Sequence, residues 1–191
     1  MVFFVAVGNT PPSIRVLPPF PLGGDSVRKR HQCKSFQWYL KTVYPEMFIP
    51  NDPDMMKASG EIRNPSTGSC VDTLGARGQG AEIGAYPCHH NHGTQEFILT
   101  RVGEIRVASM DFDNCLDRGG HGGESVAIFP CHAGGGNQAW TYDEVTGQLA
   151  DDVGNMCLEA IKKDSPKSPF TLLLSKCDRK SKGQEWRFKE Y

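Results

Sequence analysis

The chain repeats itself three times. Each copy carries a Cys-x-acid triplet, a second Cys, and a Gln-x-aromatic triplet. Copy one reads Cys70-Val71-Asp72, Cys88 and Gln95-Glu96-Phe97. Copy two reads Cys115-Leu116-Asp117, Cys131 and Gln138-Ala139-Trp140. Copy three reads Cys157-Leu158-Glu159, Cys177 and Gln184-Glu185-Trp186. The Gln follows the second Cys by seven residues in every copy, and the first Cys recurs after 45 and then 42 residues. Self-similarity at such a period dictates architecture before local propensity does. No single unit of this size buries its own apolar face, whereas three around a pseudo-three-fold axis can close a small barrel and hide its strand edges.

With 191 residues, one compact domain plus a tail is expected. The net charge of −1, from 21 basic and 22 acidic residues, argues against a nucleic-acid partner. Six of the seven Cys fall into pairs within the copies: Cys70 with Cys88, Cys115 with Cys131, Cys157 with Cys177. No Cys-x-x-Cys occurs, so a zinc ribbon is disfavoured. The regular pairing reads as three disulfides formed in an oxidising compartment, with buried free thiols as the plainer alternative. Cys33 is left over. No apolar run is long enough to span a bilayer, and Met1–Val7 makes a poor signal peptide, so a membrane anchor is not expected in this chain.

Along the chain, 1–33 is a Pro-rich tail expected to be disordered. Phe36, Tyr39, Leu40 and Val43 have helical spacing and predict a short amphipathic helix over Lys34–Tyr44, ended by Pro45, within a linker and connector at 34–59. From Gly60 the period changes to two. Four strands per copy are predicted: Gly60–Asn64, Ser69–Leu74, Glu82–Cys88 and Gln95–Thr100; Glu104–Ser109, Asn114–Arg118, Ser125–Cys131 and Gln138–Tyr142; Gly147–Asp151, Met156–Ala160, Phe170–Cys177 and Gln184–Lys189. The fold class is all-β, with repeats at 60–102, 103–145 and 146–191 of a domain covering 60–191.

The Cys-Leu-Asp and Gln-x-Trp signatures resemble the ricin-type β-trefoil lectin repeat. The segment Cys33-Lys34-Ser35-Phe36-Gln37-Trp38-Tyr39-Leu40, with Val43-Tyr44-Pro45-Glu46 after it, resembles the stretch joining catalytic and lectin domains in polypeptide N-acetylgalactosaminyltransferases. Those enzymes start mucin-type O-glycosylation. The resemblance implies a β-trefoil lectin module that recognises N-acetylgalactosamine or galactose on O-glycosylated peptides. It also implies a Golgi-lumenal or secretory-pathway setting. Nothing here resembles the family's Asp-x-His metal motif, so manganese belongs to a catalytic domain this chain does not match. The chain is expected to need no cofactor, to be a monomer and to be inactive alone. In the family the Cys equivalent to Cys33 pairs with one in the catalytic domain.

The chemistry of such a site can be read from the residues. A galactose-type sugar has an axial 4-hydroxyl beside an equatorial 3-hydroxyl, and one carboxylate can accept a bond from each. An aromatic ring covers the apolar C–H face, and an amide donates to a ring hydroxyl. Copy two has the full set in Asp117, Phe129, His132 and Asn137, with Gly119-Gly120 and Gly134-Gly135-Gly136 leaving room. Copy one has Asp72, Tyr86 and His89, with Thr94 in place of the Asn, and reads as a weaker site. Copy three has Glu159, Asp178 and Gly183 at the acid, His and Asn positions and reads as structural. The plain alternative is that each acid merely bonds turn amides. Gln95, Gln138 and Gln184 read as turn-locking residues. The Cys88-His89-His90-Asn91-His92 run reads as solvated rather than metal-binding. Two rival functions remain: an intact glycosyltransferase, and a trefoil used only for protein contact.

Overall fold

The computed structural model describes residues 28–44, 47–49, 52–119, 124–153, 155–163 and 168–189. Residues 1–27 of the expected tail, Pro45 and Glu46 of the linker motif, and the Gly120–Gly123 stretch lie outside the described residues. The chain divides into two compact units, the second spanning Phe48–Tyr191.

In the first unit the expected tail is not wholly irregular. Residues 28–30 form a helical turn, and the Cys33 N–H donates to the Arg28 carbonyl at 2.9 Å. The helix α1 (Phe36–Thr42) follows. Ser35 starts it, its Oγ accepting from the Trp38 N–H at 3.0 Å, which satisfies one of the helix's orphan donors.

The second unit is all β. Copy one supplies β1 (Met56–Asn64), β2 (Ser69–Asp72), β3 (Ala81–Glu82), β4 (Gly84–Pro87) and β5 (Phe97–Thr100). Copy two supplies β6 (Ile105–Val107), β7 (Asn114–Asp117), β8 (Ala127–Pro130) and β9 (Trp140–Tyr142). Copy three supplies β10 (Leu149–Asp151), β11 (Met156–Lys162), β12 (Phe170–Lys176) and β13 (Arg187–Lys189). All twelve expected strands are present, and the third strand of copy one is split at Ile83 into β3 and β4. β1 starts at Met56, ahead of the expected Gly60. A register shift between Met56 and Ala58 breaks the period of two there, so alternation does not reveal the strand's first turn.

Six strands close a ring. β1 pairs with both β5 and β13, β5 with β6, and β9 with β10. The β1–β13, β5–β6 and β9–β10 ladders join the copies, and within copies two and three the ring is closed by the Trp140 N–H to the Gly103 carbonyl and the Trp186 N–H to the Gly147 carbonyl, both 2.8 Å. Gly103 and Gly147 sit at φ 88° and 77°, and a Cβ would lie 3.0 Å and 2.7 Å from the Trp140 and Trp186 carbonyl oxygens. Only glycine fits both constraints. Inside the ring, the aromatics of the Gln-x-aromatic triplets form the core: Phe97 and Trp186 are fully buried and Trp140 nearly so. The two indole N–H groups are not orphaned, for Trp140 donates to the Leu116 carbonyl at 3.0 Å and Trp186 to that of Leu158 at 2.8 Å.

Three disulfides join Cys70 to Cys88, Cys115 to Cys131 and Cys157 to Cys177. Cys33 is free and exposed. The expected all-β trefoil is therefore borne out. No helix among the described residues is long and apolar enough to cross a membrane. Replacing Cys115 and Cys131 together by Ser should lower stability by about 3 kcal/mol in the chain-entropy view, read as a drop in the guanidinium midpoint with little change in far-UV circular dichroism.

Candidate carbohydrate site

The same glutamine clamp underlies all three cups. In copy two, Gln138 Nε2 donates to Asp117 Oδ2 at 2.9 Å and to the Pro130 carbonyl at 3.0 Å, while Oε1 accepts from the His132 N–H at 3.1 Å. In copy one, Gln95 does the same for Asp72 Oδ2 (2.8 Å), the Pro87 carbonyl (3.1 Å) and the His89 N–H (3.0 Å). In copy three, Gln184 serves Glu159 Oε2 (3.3 Å), the Lys176 carbonyl (3.0 Å) and the Asp178 N–H (2.8 Å). Each Gln is buried and sits at the end of a one-turn 3₁₀ helix. The clamp ties the end of the Cys-x-acid strand to the residue after the second Cys, so acid and His are held on one loop cluster.

Copy two builds most on this base. Asp117 ends β7 and is 2% exposed. Asn137 Nδ2 donates to both of its oxygens, at 2.8 Å and 2.9 Å. The amide that the sequence reading assigns to a sugar hydroxyl thus donates here to the acid itself. A carboxylate this buried is costly without donors, and Asn137 supplies them. His132 orients the Asn. The Gly134 N–H donates to His132 Nδ1 at 3.0 Å, so the ring proton is on Nε2, which faces Asn137 Oδ1 at 3.3 Å. Phe129 is half-buried. A Cβ on Gly119 would lie 2.6 Å from Asp117 Oδ1 and 3.4 Å from Phe129 Cε2. The backbone at residue 119 therefore runs tight against the carboxylate with the Phe129 ring beside it, an approach that a side chain at this position would obstruct. Arg118, beside the acid, donates its N–H to the Asn137 carbonyl at 2.9 Å, and its guanidinium bonds Asp151 of copy three.

Copy one brings its four residues near one another but arranges them differently. Asp72 Oδ1 accepts from the Leu74 N–H at 2.7 Å, the turn-amide bond that Asp117 replaces with side-chain donors. His89 Nε2 faces Thr94 Oγ1 at 3.3 Å and stands 3.9 Å from Asp72 Oδ2. Tyr86 is exposed. Leu74 stands where copy two has Gly119. Its Cδ1 would be 2.9 Å from a Cβ on Gly84, so the side chain folds over the base of the cup. Sequence reasoning missed this residue, although setting the copies side by side two positions after the acid exposes the difference.

Copy three lacks the parts of a cup. Ser175 stands where Phe129 and Tyr86 stand, a second position the sequence reading passed over. Glu159 Oε1 accepts from Ser181 Oγ. Burial pushes the Glu159 carboxyl up, but hydrogen bonds from Ser181, Ser175 and Gln184 outweigh it and hold the group below its usual value of 4.5. A depressed carboxyl contributes stability above its unfolded pKa, and the contribution is lost as pH falls through the folded value. The stability of the native chain should therefore fall more steeply below pH 4.5 than that of Glu159→Gln, in denaturant melts run across that range.

The ricin-type beta-trefoil lectin domain pattern matches residues 58–186. The chain belongs to this family. Among curated relatives, it is 41% identical over 168 residues to putative polypeptide N-acetylgalactosaminyltransferase 9 of Drosophila melanogaster, covering 86% of this chain and 24% of that protein. It is 38% identical over 162 residues to polypeptide N-acetylgalactosaminyltransferase 5 of Caenorhabditis elegans, covering 83% of this chain and 24% of that one. The chain thus spans about a quarter of the length of the relatives it matches. Among solved structures, GalNAc-T7 with UDP, GalNAc and Mn2+ superposes with a TM-score of 0.62 at 25% identity, over 86% of this chain and 28% of that one. The C-half of an earthworm R-type lectin in complex with GalNAc superposes at 0.57 and 17% identity, over 69% of this chain and 98% of that one, a likeness of fold.

Proposed function

We propose that this lectin-family chain binds carbohydrate in the cup of copy two, and that its ligand is N-acetylgalactosamine or galactose on an O-glycosylated peptide. The observation that carries the reading is the convergence of four groups in copy two: Asn137 on both oxygens of Asp117, His132 facing that amide, and the Phe129 ring beside the same Gly119 backbone. Asp117 accepts three N–H bonds, two on Oδ2 and one on Oδ1, so Oδ1 has accepting capacity left for a sugar hydroxyl. A sugar entering there lays its C–H face on Phe129. Its 3- and 4-hydroxyls donate to the carboxylate as Asn137 gives up one of its two bonds and donates to a hydroxyl instead. His132 keeps the amide turned for this. The relatives' names and the GalNAc-bound earthworm lectin support the same sugar class.

With three or four such bonds netting about 1 kcal/mol each, affinity should be on the order of millimolar. The cup does not suit manganese, since its carboxylate already accepts three N–H bonds, and the reading assigns it no metal and no catalytic role. In a longer transferase, such binding would concentrate partly glycosylated peptides beside a catalytic domain. The three disulfides fit a secretory setting. We take the chain as a monomer.

Titration of the 15N-labelled chain with N-acetylgalactosamine should shift the amides of Asp117, Phe129, His132 and Asn137 saturably. Asp117→Ala or Gly119→Leu should abolish those shifts. Leu74→Gly, at a backbone φ of 53° that glycine adopts freely, should add a second saturable set at Asp72, Tyr86 and His89. Unchanged binding in Asp117→Ala would remove copy two as the site, and no sugar-dependent shift at all would favour a trefoil used for protein contact. Transfer of sugar from UDP-N-acetylgalactosamine by the purified chain would favour the transferase reading instead.

A further inference from the structure

Six residues ahead of the second Cys, the copies place Glu82, Ser125 and Thr171, and one residue later Ile83, Val126 and Leu172. Their strands pair in a closed cycle. Glu82 pairs with Ala127, joining copy one to copy two. Ser125 bridges Leu173, joining two to three. Thr171 pairs with Gly84, joining three back to one. A cycle of three equivalent pairings encloses one axis, and these six residues surround it. A cavity of about 350 Å³ lies there, also lined by Glu124 and Lys163. That is the lower end of the range for small-molecule pockets.

The lining has two parts. Ile83, Val126 and Leu172 are buried and give an apolar floor. The lining also includes Ser125 and Thr171 and the exposed residues Glu82 and Glu124. Ser125 Oγ is buried and is the one such side-chain atom without a hydrogen-bond partner among the described residues. Buried hydroxyls are rarely left so. The three charged groups sum to −1, so the mouth favours a cation. A divalent ion gains nothing from the apolar floor and is repelled by Lys163. A sugar finds no aromatic ring among the lining residues.

We propose that this axial cavity binds a primary ammonium on a short alkyl stem, as carried by a lysine side chain or an alkylamine. The stem lies on Ile83, Val126 and Leu172. The ammonium donates to the exposed carboxylates of Glu82 and Glu124 and keeps its third N–H for water. The site is separate from the copy-two cup and does not depend on the sugar reading.

The test uses the full 15N-labelled chain at fixed ionic strength. n-Butylammonium chloride should shift the amides of Glu82, Ile83, Ser125, Val126 and Leu172 saturably and leave Asp117, His132 and Asn137 unmoved. Sodium butyrate, with the same stem and the opposite charge, should shift none of them. Nα-acetyl-lysine methylamide distinguishes a peptide-borne lysine from a free amine, and binding by either probe upholds the site. Glu82→Gln with Glu124→Gln should weaken binding at least about tenfold. Both side chains are exposed, so the fold should survive, as a one-dimensional spectrum will show. Lys163→Gln should tighten binding, because it removes a like charge. Absence of shifts with both amines, equal shifts with butyrate, or undiminished binding in the double variant would overturn the proposal.

Discussion

One hydrogen-bonded unit organises the β unit: a buried glutamine amide whose N–H group bridges an acid and a backbone carbonyl, and whose oxygen takes the amide of the residue after the second Cys. It occurs three times, around Gln95, Gln138 and Gln184. The arrangement is self-consistent. A carboxylate at the end of a buried strand needs donors, a proline or lysine carbonyl beside it needs one too, and a primary amide has two N–H bonds to give. Removing the Gln would leave the carbonyl and the loop N–H without this partner and take one donor from the acid, at about 1–3 kcal/mol for each group left buried and unpaired. The second residue after each Gln is an aromatic that fills the shared core. The clamp thus connects the shape of the surface loops to the closure of the barrel.

From that common base the copies diverge at a few positions. After the acid stands Leu74 in copy one and Gly119 in copy two. Before the second Cys stand Tyr86, Phe129 and Ser175. Before the Gln stand Thr94, Asn137 and Gly183. Only copy two combines a glycine two residues after the acid, an aromatic ring beside it and a side-chain amide on the acid. Copy one caps its acid with a turn amide and folds Leu74 over the cup's base. Copy three turns its acid to Ser181 and has no ring. Divergence at positions outside the clamp leaves the fold intact, which is how a repeat can keep three structural copies and specialise one.

Much of this was legible in the sequence. The paired Cys, the Gln-x-aromatic triplets and the alternating strands placed the trefoil and its disulfides, because each rests on local spacing. The start of β1 was not legible, since the irregularity near Met56 hides the alternation. The helical turn at 28–30 was read as tail because a basic run carries no apolar period. The acid, ring, His and amide of copy two were named as a set, but that Asn137 bonds both oxygens of Asp117 depends on burial, which only the fold reveals. Leu74 and Ser175 carry no sugar chemistry of their own, so their effect on the cups is visible only where the fold places them beside the acid and at the ring position. The axial cavity depends on strand pairings between copies and has no signature within any one of them.

The central claim is that the clamped acid of copy two and the Phe129 ring hold one sugar between them. Crystals of the chain soaked in N-acetylgalactosamine test it most directly. The account predicts density for one sugar between Asp117 and Phe129, its 3- and 4-hydroxyls on the carboxylate and Asn137 moved off one oxygen. A sugar seated in copy one or copy three, with Asn137 still holding both oxygens of Asp117, would contradict it.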